Sequence, residues 1–323
     1  MTTIPTVSVV ISTFNRERYI GEAIQSVLDQ TYQPLELIVV DDGSTDRTEQ
    51  VVCGFSGPFP IRYHWQPNQW QASALNHGVS LAQGDWVAFL DSDDMWYPQK
   101  LAVQVSHMQT HPELPFFYSK MDYFCADDAG QIRWMERKAW SELEPLMFHG
   151  LPNIHIPTVL MRKDVFLKLR GFNPSLRIGE CWEFCTRVAL TYPIHYIPES
   201  LAKQRYHPSQ ITRELPTTAD YFHRFQMCMQ DIWRNDSKKQ AILNRYSAKV
   251  YADLGRYFLT TEDYAKARHC YRQSLSHRPW SLKNLRRWVI SGLPGIRDRY
   301  VQHLKEGPRS QGKKSRENQA GSQ

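Results

Sequence analysis

Five apolar residues, Trp86-Val87-Ala88-Phe89-Leu90, run directly into Asp91-Ser92-Asp93-Asp94. A run this short, continuous and bulky suits a strand buried on both faces of a parallel sheet. Carboxylates avoid such strands, so their arrival marks the carboxyl end, where open α/β sheets place their ligands. Acids this close repel one another unless a cation holds them. Hard divalent ions such as Mg²⁺ or Mn²⁺ take oxygen ligands and bridge carboxylates to substrate phosphates. The stretch reads either as a metal and diphosphate site or as a solvated acidic turn in which Ser92 or Asp94 caps the next helix.

The same pattern recurs upstream. Val7 to Thr13 reads as a buried first strand ending in Ser12 and Thr13, with a turn at Phe14-Asn15-Arg16. Apolar pairs at Tyr19/Ile20, Ala23/Ile24 and Val27/Leu28 predict a helix over 17–30. A second strand, Leu35 to Val40, runs into Asp41-Asp42-Gly43-Ser44, and Ser44 or Asp46 is placed to cap a helix through Val52. Ile61 to Trp65 reads as a strand, 70–82 as a helix stopped near Gly84, and the Asp91 strand follows. This alternation predicts a parallel sheet with right-handed crossovers and helices on both faces. No G-x-G-x-x-G or Walker sequence follows any strand, which removes the common dinucleotide and P-loop readings. A nucleotidyltransferase would share the sheet and the metal, but it requires a glycine-rich basic loop after the first strand. Thr13-Phe14-Asn15-Arg16 is not one.

The 323 residues, 41% hydrophobic and 22% charged, are compatible with a globular protein. The formal charge of +6 favours a phosphorylated substrate or an anionic membrane surface and is too small to argue for nucleic acid. The opening Met1-Thr2-Thr3-Ile4-Pro5-Thr6 has no basic or apolar leader. No apolar run approaches the roughly 18 residues that span a bilayer. The six cysteines form no C-x-x-C pair. The protein is therefore expected to be cytoplasmic with reduced thiols, and peripheral at the inner membrane face if it touches a membrane at all.

Taken together, Val7 to Arg16, Val39-Val40-Asp41-Asp42-Gly43-Ser44-Thr45-Asp46 and Phe89 to Asp94 resemble the family-two inverting glycosyltransferases of the GT-A fold. They do so in order and spacing as well as in letters. Asn76-His77-Gly78 to Gly84-Asp85 resembles the family's helix between the nucleotide and metal motifs, and the resemblance spans residues 5–212. It implies an α/β fold of GT-A type, a mostly parallel twisted sheet flanked by helices. The nucleotide-sugar half would cover 1–97 and the acceptor half 98–215.

Roles follow by resemblance. Ser12 and Thr13 would form the base-binding edge, with Asn15 and Arg16 beside the nucleotide and Arg16 toward phosphate. Asp41 and Asp42 would read the uracil or its ribose, and Asn76 would belong to the same side. Asp91, with Ser92 beside it, would face ribose or metal, and Asp93 would hold Mn²⁺ or Mg²⁺. The donor would be a nucleotide sugar, foremost a UDP-sugar, and the acceptor a hydroxyl of a glycan, a lipid-linked saccharide or a protein.

In the acceptor half, Leu101, Val105 and Met108 predict a helix from Pro98 to His111. Phe116 to Phe124, a turn at Asp127-Asp128-Ala129-Gly130 and Gln131 to Met135 predict a hairpin. Ile154 to Met161 joins it, and Lys163 to Leu169 forms a short helix stopped by Gly171. Arg177 to Arg187 then resembles the family segment that carries the catalytic base at a helix start. An inverting transfer needs a base to take the acceptor hydroxyl's proton. The family usually shows a glutamate-aspartate pair here, the aspartate being the base, whereas this chain has Glu180-Cys181. A thiol is a poor substitute. Glu180 is the candidate base and Glu183 the reserve. The alternative is a nucleotide-sugar-binding protein whose catalysis is weakened by Cys181, with Glu180 serving only as favourable charge at a helix N-terminus. After a short strand over Ile194 to Pro198, Arg205-Tyr206-His207 resembles the family's basic closing motif, with Arg205 and His207 as candidate diphosphate contacts.

Pro216 marks a boundary, and 216–305 reads as helical. Tyr251-Leu254-Tyr257-Phe258, Asp263 to Arg268 and Tyr271-Leu275-Pro279 resemble one tetratricopeptide-like helix pair. Leu282 to Ile290 mixes cations with large apolar residues, as in a monotopic membrane contact or a helix covering a core with its cations solvated. The tail 306–323 has no large apolar residue and is expected to be disordered.

Overall fold

The computed structural model describes residues 5–126, 132–135, 154–177, 179–207, 210 and 229–305. The expected turn at 127–130, the boundary at Pro216 and the tail 306–323 lie outside the described residues. Among the described residues, those up to 210 together with 229–232 form one compact unit, and 233–305 form a second.

In the first unit, β1 (Val7–Thr13), β2 (Glu36–Asp41), β3 (Ile61–Trp65) and β4 (Trp86–Asp91) lie parallel in the order β3-β2-β1-β4. Every residue of β1 and β2 is buried, as in strands covered on both faces. Alternate side chains feed two cores. Val9, Ile11, Val39 and Leu90 pack with Ile20, Ile24 and Val27 of helix α1 (Ile20–Leu28). Val10, Val40, Val87 and Phe89 pack with Leu75 and Val79 of a later helix and with Phe166, Phe172 and Phe184. Each fully buried aliphatic side chain contributes about 1.5–3 kcal/mol. Helix α2 (Thr48–Cys53) starts later than the sequence suggests. Its cap is Arg47, and Asp46 accepts from Thr48 N (3.0 Å) from one position further back. Helix α3 (Trp70–Leu81) leads into β4.

Beyond β4 the sheet becomes mixed. It adds β5 (Met95–Trp96), β6 (Phe116–Ala126), β7 (Ile132–Met135), β8 (Leu160–Arg162) and β9 (His195–Arg205), continuing β4-β8-β6-β9-β5 with β7 paired on β6. β8 is antiparallel to both β4 and β6, so β6 and its parallel neighbour β9 run in the sense of β4. β9 is longer than the short strand expected over 194–198. Register shifts around Ser119, Lys120 and Met121 of β6 let pairing resume past Pro198. The chain therefore returns to the end of β4. Helices α4 (Lys100–Thr110), α5 (Lys163–Lys168) and α6 (Glu180–Thr191) complete the unit.

In the second unit, α7 (Ser237–Thr260) packs along α8 (Tyr264–His277). Gly255 permits the approach, since a Cβ there would sit 2.9 Å from the Tyr271 ring. Asp263 caps α8 by accepting from Lys266 N (3.2 Å). Helix α9 (Leu282–Ser291) is followed by α10 (Pro294–Lys305). α9 turns polar side chains inward, with Asn284 Nδ2 donating to Ser274 Oγ (2.8 Å). It leaves Leu282 (80%), Leu285 (42%) and Val289 (44%) exposed. It also buries Ile290, with Lys283 and Arg286 exposed. Among the described residues, no helix is long and apolar enough to cross a membrane.

Candidate active site

Sheet register places the strand ends at one level. Thr13 pairs with Asp41, Ser12 with Asp91, and Asp41 with Trp65. Asp42 N donates to Thr13 O (2.8 Å), which stitches the first two ends together. Asp41 is buried, and its carboxylate accepts from Ser44 N (2.7 Å) and Tyr63 Oη (2.8 Å). Asp42 accepts from Gln66 Nε2 (2.7 Å) and Gln69 N (2.9 Å). Asn15, at φ 51°, accepts from Thr45 N (2.8 Å) and ties the loop after β1 to the loop after β2. Gly43, at φ 90°, lies where a Cβ would come within 3.0 Å of Asn68 N.

The turn after β4 gathers the acids. Asp91 accepts from Gln71 Nε2 (2.6 Å). Asp93 Oδ2 accepts from Arg16 Nε (3.3 Å) and lies 2.9 Å from His207 Nε2. Ser92 is buried between them in sequence. Asp94 Oδ1 accepts from Arg205 N (2.9 Å), and Arg205 Nε donates to Asp93 O (3.2 Å). The Arg205 guanidinium also pairs with Glu22 (2.8 Å) and lies over the rings of Tyr19 and Phe124. Arg205 therefore braces the acidic turn, while His207 faces Asp93. Burial, then the charges of Asp93 and Glu180, push Asp91 up to about 7. Burial also opposes ionisation of Asp93, yet the His207 hydrogen bond and the Arg16 charge outweigh it and hold that carboxyl below its usual range. Burial followed by both neighbouring acids drives Asp94 well upward. Among the described residues, Thr13 Oγ1 and Asp94 Oδ2 are buried without a hydrogen-bond partner.

The charge of Glu180, at the start of α6, adds to the upward push on Asp91. Gly179, at φ 83°, turns the chain into the helix. Glu180 is buried, and burial raises it to about 7. Cys181 is pushed well above its usual value by burial and then by Glu180, Cys185 and Asp91, so it is a thiol at neutral pH.

Two expected site residues are committed elsewhere. Glu183 is clamped by Arg187 Nε (2.6 Å) and Nη2 (2.9 Å), and Arg187 also donates to Leu169 O and Gly171 O. Asn76 Oδ1 accepts from Phe172 N (2.9 Å) and its Nδ2 donates to Phe172 O (2.8 Å). Both side chains hold the 169–172 loop. Sequence reasoning missed Tyr63, Gln66 and Gln71, uncharged residues whose role appears only once β3 and α3 are set beside the acids.

The donor set fits a divalent cation. An imidazole nitrogen and a carboxylate oxygen meet at His207 and Asp93, and a further cation would offset the acidic charges that add to burial in raising Asp91.

Residues 8–170 match the family described as Glycosyl transferase family 2. The chain belongs to that family. Members of glycosyl transferase family 2 are glycosyltransferases, and this chain is one. It is 28% identical over 265 residues to an uncharacterized glycosyltransferase of Rickettsia typhi, covering 79% of this chain and 80% of the relative. It is 31% identical over 215 residues to one from Rickettsia conorii, but spans only 35% of that longer protein. The putative glycosyltransferase EpsE of Bacillus subtilis is 34% identical over 177 residues, covering 54% of this chain and 62% of EpsE. Among solved structures, S. aureus TarS 1–349 in complex with UDP superposes with a TM-score of 0.57 at 19% identity. That alignment covers 92% of this chain and 91% of TarS 1–349. The family 2 chain thus has a GT-A-like fold.

Proposed function

We propose that this family 2 enzyme is an inverting transferase that moves a sugar from a UDP-sugar to a hydroxyl of a glycan, lipid-linked or protein acceptor. The observation that carries the reading is the 2.9 Å contact of His207 with Asp93 at the carboxyl end of β4, beside an Asp91 that is raised by burial and then by the charges of Asp93 and Glu180. Ser12, Thr13 and Asp42 receive the nucleoside at the adjoining strand ends, and the orphaned Thr13 hydroxyl supports a polar ligand there. The solved complexes of S. aureus TarS with UDP and UDP-GlcNAc support uridine as the base.

Asp93 and His207 would hold the divalent ion, Mn²⁺ before Mg²⁺ because one donor is an imidazole. When bound, such an ion supplies charge neutralisation for the leaving diphosphate. Arg16, beside Asp93, is placed to add a second positive charge. Glu180 takes the proton from the acceptor hydroxyl as its oxygen attacks the anomeric carbon from the face opposite the diphosphate. A carboxylate tuned to about 7 suits that task at neutral pH. Its position supports turnover over the alternative of a binding protein weakened by Cys181.

The nucleotide-sugar half then occupies 1–97 and the acceptor half 98–215, followed by the helical region and its tetratricopeptide-like pair. The exposed Leu282, Leu285 and Val289, flanked by Lys283 and Arg286, support a peripheral contact with the anionic cytoplasmic face of a membrane. The test is UDP release from a panel of UDP-sugars by the native chain and by Glu180→Gln. The variant is expected to lose about 10²–10⁴-fold in turnover while still binding UDP. Equal turnover in both would remove Glu180 from the mechanism.

A further inference from the structure

A second constellation lies at the opposite end of the sheet. α4 and the residue after it carry His107 and His111, and β9 opens at His195. The four-residue spacing sets the first two on one helical face. His107 Nδ1 lies 3.2 Å from His195 Nε2. The His195 ring is 5.2 Å from that of His107 and 4.6 Å from that of His111. One ring nitrogen from each histidine lies within 4.8 Å of the other two, and all three residues are half-buried, open to ion entry.

The surroundings of His111 favour coordination. His111 Nδ1 sits 3.1 Å from His107 O and 3.0 Å from Thr110 Oγ1. A carbonyl only accepts, so Nδ1 carries the proton and Nε2 keeps its lone pair. Metal-binding histidines are oriented in this way by a backbone carbonyl on the other ring nitrogen. Two ligands about 2.05 Å from a tetrahedral Zn²⁺ stand roughly 3.3 Å apart, close to the His107–His195 separation.

We propose that His107, His111 and His195 form a transition-metal site of the Zn²⁺ class, with a fourth position left to water, that clamps the end of α4 to the start of β9. Three neutral imidazoles without a thiolate suit Zn²⁺, Ni²⁺ or Cu²⁺ and discriminate against Mg²⁺. β9 runs from His195 to Arg205, about 30 Å at the rise of a strand, so this ion stands apart from the acidic turn. Its effect is on stability. The mundane reading is one proton shared between His107 and His195, with no ion.

The full chain, stripped by chelator, would be titrated with Zn²⁺ at pH 7.5 in an Asp93→Asn background, which weakens the other cation site. One equivalent should bind, and the melting temperature should rise by about 5 °C at hundredfold excess over Kd. His111→Ala and His195→Ala should each lose both the equivalent and the rise. Zn²⁺ binding unchanged by either substitution overturns the site. Co²⁺ added to the unsubstituted, stripped chain needs no variant. Intense visible bands of a four-coordinate, nitrogen-rich site are expected, and their absence also overturns the proposal.

Discussion

His207 Nε2 lies 2.9 Å from Asp93 Oδ2, although 114 positions separate the two residues in the chain. β9 accomplishes this by running past Pro198 to Arg205, whose backbone and guanidinium fasten the acidic turn before His207 arrives. Asp93→Asn is expected to abolish the Mn²⁺ dependence of nucleotide binding, and His207→Ala to weaken it about 10–100-fold. Calorimetry with and without Mn²⁺ reads both. Metal dependence intact in the two variants would take this pair out of the ion's coordination shell.

The pH profile follows from Glu180. In its proposed role as base it must be ionised, so kcat/KM should rise with pH through about 7 and fall away below it. Stability should run the other way. A carboxyl raised in the folded state binds more protons than the unfolded chain between about 4.3 and 7, so its contribution is lost as pH rises through that window. Glu180→Gln should therefore melt higher than the native chain at pH 8, by an amount of order 1–3 kcal/mol. A lower melting temperature there would show that Glu180 is not held against its charge.

Glu183→Gln separates the two glutamates. It leaves the Arg187 guanidinium without its carboxylate partner inside the 169–172 loop. A loss of about 2–4 kcal/mol in stability is expected, read by urea denaturation, with turnover per folded molecule largely kept. A variant that folds normally but does not turn over would move the base from Glu180 to Glu183.

For α9, Leu285→Glu with Val289→Glu should cancel sedimentation with phosphatidylserine vesicles and leave the melting temperature unchanged, because both side chains are exposed. Binding that survives the double substitution would remove this stripe as the contact.

The strand ends were legible because burial forces a pattern on the sequence. Val7 to Thr13, the run before Asp41 and Trp86 to Leu90 each carry apolar residues until the sheet stops, and the acids mark the stop. Glu180 could be nominated because residues 177–187 resemble the family segment that carries the base. β9 was not legible in full. Glu199, Ser200, Lys203 and Gln204 interrupt its apolar pattern, and pairing with β6 through a bulged register and with β5 keeps it a strand. Asn76 and Glu183 look like site residues in sequence, since chemistry and loop anchoring use the same side chains. Their partners, Phe172 and Arg187, distinguish the two roles. The outward apolar face of α9 was also hidden, because periodicity gives the stripe and not the side it faces.

In the proposed function the strand ends of Thr13, Asp42 and Asp93 bind a uridine diphosphate with a divalent ion. This is tested most directly by calorimetric titration of the full chain with UDP and GDP, each with Mn²⁺ and again with a chelator. Tight binding of UDP that the chelator removes is the expected result. No binding of either nucleotide in any condition would contradict it.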